Sequence, residues 1–256
     1  MTPTPTRDRL AAQGAILFRW RSFLPLLLLV PVVAALPQSG LFEAWFGETA
    51  ETIWDLFSLA VASSGLAIRV ATAGHAPSGT SGRNTHAQRA DSLNTTGLYS
   101  VVRNPLYLGN LLILAGFLLA VKVWWVALLG MVLALVYYER IVLAEEAYLS
   151  RLFGLAYETW ASRLPAFWPR FGSWRPAALP FCWRTALRRE QNGAFLIVVV
   201  LTVIEAMTDV VGEGQGLAAW AREDSAWLWF LIIGTILFLI LRLIRKRTDW
   251  LRVAGR

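Results

Sequence analysis

The chain is short of the residues that build covalent and metal scaffolds. Its 256 residues include one cysteine, Cys182, and two histidines, His75 and His86. One cysteine excludes a disulfide framework and a cysteine-rich zinc or iron–sulfur site, and two histidines argue against a multi-histidine centre. No bound metal is expected. Charge is scarce too: 16% of residues, against roughly 25% in soluble domains. Hydrophobic residues reach 56% and mean hydropathy is +0.51. These values exclude a disordered chain, a basic nucleic-acid-binding domain and an ordinary soluble enzyme. No solenoid-type repeat is present. Low-complexity sequence is confined to the Thr/Pro start at Thr2–Thr6, read as a frayed tail.

What is abundant is long apolar sequence. A bilayer core takes about 20 mostly apolar residues of helix. Six stretches approach that length: Phe23–Leu36, Ile53–Ala73, Leu106–Val121, Val123–Leu143, Ala194–Val210 and Ala226–Leu243. The expected fold class is therefore all-α, a polytopic membrane bundle of about six helices. Pro25 and Pro31 predict a short, kinked first span. A cleavable signal peptide is the rival reading of that stretch, with Val33-Ala34-Ala35 as a loose cleavage site. The two prolines, the long start and the later spans favour a retained span. Only Lys122 separates the third and fourth stretches, so they should form a tight hairpin. Placing both termini and the two long polar segments on one side collects 21 of the 24 Lys and Arg there. That bias predicts both termini in the cytoplasm. The chain divides into an N-terminal two-helix region (1–83), a core with the hairpin and site (84–170), and an interfacial segment with a final hairpin (171–256).

Chemistry is expected where the two polar segments reach the mouth of the hairpin. The first runs from Ser81-Gly82-Arg83-Asn84 through Leu93, Asn94 and Gly97 to Arg103-Asn104-Pro105. The second runs from Tyr138-Glu139-Arg140 through Glu145-Glu146 to Phe153-Gly154, Tyr157 and Arg163-Leu164-Pro165. Gly97 permits positive φ or close backbone approach. Asn104-Pro105 starts a helix whose free N–H groups suit an anion, and Arg103 adds full charge. Glu145 and Glu146 offer the opposite sign. An anion-binding edge facing a cation-binding edge suits a zwitterionic amino-acid ligand.

The run Gly-x-Tyr-x-x-x-Arg-x-Pro-x-Tyr-x-Gly at 97–109, followed after the hairpin by Glu-Glu and Phe-Gly-x-x-Tyr, resembles the isoprenylcysteine carboxyl methyltransferase and phospholipid methyltransferase superfamily. The resemblance covers residues 84–170. It implies S-adenosylmethionine as cofactor. Asp91, Ser92, Leu93 and Asn94, with Gly97, resemble the backbone strip along the adenosine. Tyr99, Asn104, Pro105 and Tyr107 match the cofactor-contacting positions, and Glu145 matches the cofactor-binding acid. Glu146 completes the pair found in phospholipid methyltransferases. The motif histidine is Asn104 here, which keeps a hydrogen-bond donor and loses the charge. The substrate-facing arginine of the prenylcysteine enzymes falls on Ile141, with Arg140 one residue away, about 100° round the helix. The wording at 81–84 and 93–97 is similar to a bacterial branch associated with lipid A phosphate methylation.

The expected activity is methyl transfer to a membrane lipid with an anionic phosphate or carboxylate headgroup, in contact with the bilayer and with no nucleic acid. Arg103 and Arg140, with Arg151, are the acceptor-orienting candidates, and Glu146 is the base if the acceptor is an amine. The alternatives are a prenylcysteine carboxyl methyltransferase, a sterol-type membrane reductase and a non-enzymatic membrane protein. Tyr137, Tyr138 and Tyr148 read as belt aromatics, as do Trp124 and Trp125 at the outer turn. Arg69 reads as snorkelling to the interface. Residues 174–193 read as an amphipathic interfacial segment. His75, His86 and Cys182 read as bystanders. Glu205 is an intramembrane acid, either hydrogen-bonded within the bundle or lining an acceptor cavity.

Overall fold

The computed structural model describes residues 5–21, 23–77, 79–80 and 90–256; Ser81–Asn84 and His86, singled out above, lie outside them. The described residues form ten α-helices: α1 (Pro5–Arg19), α2 (Leu29–Ala35), α3 (Leu41–Phe46), α4 (Glu48–His75), α5 (Pro105–Ala120), α6 (Trp124–Phe153), α7 (Leu155–Ala161), α8 (Trp183–Met207), α9 (Leu217–Glu223) and α10 (Ser225–Arg247). They contain no strand, only one antiparallel bridge between Gly97 and Arg175. The all-α class is as expected.

Four helices are long and apolar enough to cross a bilayer: α4, α6, α8 with its π turn to Gly212, and α10. The expectation of about six spans needs two corrections. The first stretch is not one helix but α2 between 3-10 turns at Leu24–Leu28 and Leu36–Gln38. Prolines at positions 25, 31 and 37 withhold backbone N–H groups all along it. It completes a fifth span only if counted together with α1. Helix α5 is apolar throughout but has 16 residues. At 1.5 Å per residue it is about 24 Å long, short of the ~30 Å hydrocarbon core. Residues 183–193 of the basic 174–193 segment are helical. They form the first turns of α8 without a break.

Between lipid-facing helices, packing rests on close backbone approach rather than apolar burial. The α4–α5 seam shows this. Gly65 and Gly109 face one another, and a side chain at Gly116 would meet the Ser58 carbonyl at 2.6 Å. Ala62, Ile113, Ala120, Ile197 and Leu201 form a core cluster joining α4, α5 and α8. Val121, Val123 and Val126 at the α5–α6 turn pack with Ala35 and Leu118. That turn is the tight hairpin the sequence implies, with Lys122 at φ +63°. Helix α1 lies on the far half of α6, where Gly14 sits directly against the backbone of Arg140. This contact carries the N-terminal segment to the mouth of the hairpin.

Candidate functional site

Two polar segments meet there, zipped together by backbone. Gly97 adopts φ +60° and ψ −134°, a conformation closed to residues with a Cβ. Its N–H donates to the Arg175 carbonyl at 3.0 Å. Ser100 Oγ donates to the Gly97 carbonyl at 2.7 Å and accepts from the Arg175 N–H at 2.8 Å. The Arg103 N–H reaches the Pro165 carbonyl at 3.0 Å, and Asn104 Nδ2 reaches the Ala166 carbonyl at 3.3 Å. Trp160 Nε1 donates to the Tyr99 carbonyl at 3.1 Å. The juxtaposition inferred from the hairpin is therefore present, with residues 160–175 as its outer wall.

Helix α5 starts at Pro105 and presents Tyr107 within its first turn; Glu145 comes from the facing stretch of α6. The Tyr107 hydroxyl donates to Glu145 Oε2 at 2.8 Å. Arg21, delivered by α1, is a charged neighbour of both. Tyr138 packs its ring 5.4 Å from that of Tyr107. Tyr138 is thus part of this wall and not an interfacial anchor. The Tyr99 phenol is pushed above its usual range by burial and then by the Glu145 charge, so it stays a neutral donor. Glu146, one residue on, turns away from Glu145 and pairs with Arg103 at 3.0 Å; its side chain is 6% exposed. Arg103 also donates to the Ala161 carbonyl at 3.2 Å. The two therefore neutralise one another beside the site.

A small cavity lies beside Tyr99, itself an electrostatic neighbour of Glu145. Asn94, Thr96, Leu98 and Tyr99 line one side, and Thr72 and His75 of α4 the other. Beneath lies a network the sequence did not show. Arg69 forks onto Glu190, Nε to Oε2 at 2.8 Å and Nη2 to Oε1 at 2.9 Å, and its Nη1 meets Asn110 Oδ1 at 2.6 Å. Such a bidentate pair fixes orientation as well as charge. Arg69 therefore does not snorkel; it ties α4, α5 and α8 together. Arg189, a charged neighbour of Tyr99, donates to the Pro77 carbonyl at 3.3 Å.

Among the residues singled out, Asn94, Gly97, Tyr99, Asn104, Pro105, Tyr107 and Glu145 gather at or beside this mouth. Leu93 adjoins the cavity strip. Asp91 is exposed, its N–H bonded to the Gly79 carbonyl at 3.3 Å. Arg140 is not brought in: it pairs with the exposed Glu139 at 2.7 Å. Arg151 is exposed. Sequence reasoning missed Arg21, Asn110 and Glu190, misread Arg69 and Tyr138, and saw Arg189 only as part of a basic segment able to gather an anionic headgroup. One available signal was Glu190, a lone acid following Arg188-Arg189 at the edge of an apolar run.

Residues 60–156, from the middle of α4 to the start of α7, match the phospholipid methyltransferase family. This is the superfamily that the 97–109 motif resembles, and the match implies membrane methyltransferase activity. No curated protein and no solved structure matches the chain.

Proposed function

We propose that this chain transfers a methyl group from S-adenosylmethionine to an anionic phosphate or carboxylate headgroup of a membrane lipid. The observation that carries the reading is the Tyr107–Glu145 pair together with the Asn94–Tyr99 cavity, inside the family-matched segment. The residues present suit such a cofactor. Glu145 offers a carboxylate for an ammonium, held in place by the Tyr107 hydroxyl. The first N–H groups of α5 lack intrahelical partners by construction and suit a carboxylate. Asn94 and Thr96 offer polar groups beside the backbone strip for a nucleoside, and Leu98 and Tyr99 offer apolar and aromatic surface. The bound sulfonium supplies an electrophilic methyl carbon.

The protein's share of catalysis is then positioning. An anionic acceptor oxygen needs no base, so the work lies in alignment and exclusion of water. Arg103 is committed to Glu146 and Arg140 to Glu139. Arg189 is the better placed cation to orient a headgroup, and the Arg69–Glu190–Asn110 floor holds the helices that frame it. Glu146, charge-paired and buried, acts as a structural counter-ion to Arg103.

The test is methyl-labelled cofactor given to the purified chain with extracted bacterial lipids or with a farnesyl-cysteine analogue. Label should enter the lipid fraction and vanish with Glu145→Gln. Label confined to the farnesyl-cysteine arm would overturn the lipid assignment. No calorimetric heat with S-adenosylhomocysteine would overturn the cofactor assignment.

A further inference from the structure

At the same end of the bundle as the mouth lies a groove that methyl transfer does not use. Ala177 lines the cavity beside Tyr99; a few residues further on, Pro180, Phe181 and Cys182 line the groove instead. Its volume is about 450 Å³, within the range of roughly 300–1,000 Å³ usual for small-ligand sites. Trp183 and Arg184, at the start of α8, continue this wall. Val253 and Arg256, beyond the end of α10, supply the other.

The two walls are tied together. Leu251 is buried, so the chain after α10 folds back onto the bundle. The Arg256 guanidinium donates to the Gly74 carbonyl at 3.0 Å and to the Pro180 carbonyl at 2.8 Å. Arg188 Nη2 donates to the Arg256 main-chain oxygen at 2.9 Å. Arg184 lies over the Trp250 ring, 5.1 Å from its centroid. These partners orient the Arg184 and Arg256 guanidiniums without neutralising them, because amide carbonyls and an indole carry no net charge. Two full positive charges therefore line a groove whose other surface is mostly apolar: Pro180, Phe181, Trp183 and Val253. Trp183 and Trp250 are 68% and 49% exposed. Bare indoles at the ends of the membrane-length helices α8 and α10 suit the bilayer interface.

We propose that this groove binds the headgroup of an anionic phospholipid, apart from the lipid that accepts the methyl group. Each part of such an amphiphile finds a partner. The phosphate diester is held by Arg184 and Arg256, since guanidinium is planar, permanently charged and matched to phosphate oxygens. The apolar surface takes the glycerol and the first acyl carbons. Free phosphate would leave that surface without a role. A zwitterionic headgroup would set its own ammonium against the arginines, a repulsive element that selects against it. The last turn of α10, with Arg245, Lys246 and Arg247, draws anionic lipid to this end of the bundle. The bound lipid braces the returning chain against the Gly74–Pro180 wall, behind the mouth and not inside it.

The test uses the full chain, delipidated in uncharged detergent and titrated with phosphatidylglycerol or phosphatidylcholine in the absence of any methyl donor. Native mass spectrometry counts the bound lipid. Phosphatidylglycerol should be retained and phosphatidylcholine should not. Arg184→Gln, at an exposed position, should weaken phosphatidylglycerol binding by about fivefold. Arg247→Gln, at the exposed end of α10 outside the groove, should leave it nearly unchanged. Equal retention of the two lipids overturns the proposal, as does undiminished binding in Arg184→Gln. Equal losses in the two variants overturn it as well, leaving only diffuse attraction to a basic surface. Inorganic phosphate that competes as tightly as the lipid binds overturns lipid as the occupant. No readout depends on methyl transfer, so failure here and failure of the proposed reaction are separate results.

Discussion

At the scale of single residues, one hydrogen bond and one buried ammonium shared by three carboxylates carry most of the testable chemistry. Removing the Tyr107 hydroxyl leaves Glu145 without its donor. A hydrogen bond to a charged group contributes about 1.5–3 kcal/mol. Tyr107→Phe should therefore weaken S-adenosylhomocysteine binding by about tenfold or more with the fold intact, as measured by titration calorimetry. Lys122→Met strips the shared cation from Glu51, Asp55 and Glu205. Breaking a buried pair in this way costs about 3–5 kcal/mol, to be read as a lower unfolding midpoint in a thermal scan. The Tyr107–Glu145 neighbourhood was legible because a one-residue turn between two apolar runs forces their far ends together. The Arg69–Glu190 pair was not. Its partners are 121 residues apart, and nothing local in either segment specifies the other. Glu205 was recognised as an intramembrane acid, but its ammonium partner sits in a turn that read as a mere connector.

At the scale of elements, hydropathy located the helix centres and missed their ends. Helix α6 runs on from its apolar part to Phe153, and α8 begins at Trp183, because backbone hydrogen bonding is indifferent to side-chain polarity. What stops α6 is Gly154 at φ +53°, a stop signal present in the sequence. A 30-residue helix is about 45 Å long and outruns a ~30 Å bilayer core, which is how Glu145 comes to stand at the mouth. The α4–α5 seam is the element contact most sensitive to bulk. Gly116→Val should force the helices apart against the Ser58 carbonyl and Ala62, at about 1–3 kcal/mol or more. Gly172→Val, where a Cβ meets nothing within 4 Å, should leave the thermal midpoint unchanged, and the two scans together check that packing is the cause.

At the scale of the whole molecule, charge is sorted between the two ends: arginines around the mouth, carboxylates around Lys122. Glu213 belongs to the acidic end, and burial, then Glu51 and Glu43, push its pKa from 4.5 to about 7. The folded state therefore holds a proton there that the unfolded chain has released between about pH 4.5 and 7, so stability from this group falls as pH rises through that window. Lys122 opposes the shift, and Gln215 donates to the carboxylate at 3.1 Å. The thermal midpoint should decline from pH 4.5 to 7, and Glu213→Gln should flatten that decline; an unchanged slope in the variant would assign the effect elsewhere. The all-α membrane class was legible from composition alone. The extent of the site was not: it draws on residues from Arg21 to Glu190, well beyond the 84–170 core the motif suggested.

The zipper between residues 97–104 and 160–175 has a consequence for inheritance of specificity. Half of each backbone pair along it comes from beyond position 156, where the family match stops. A chimera that keeps 60–156 and borrows 157–193 from a distant relative would retain the Tyr107–Glu145 pair yet meet a foreign partition beside it. If the proposed transfer is right, exchanging 157–193 would change the acceptor preference and leave cofactor binding in place.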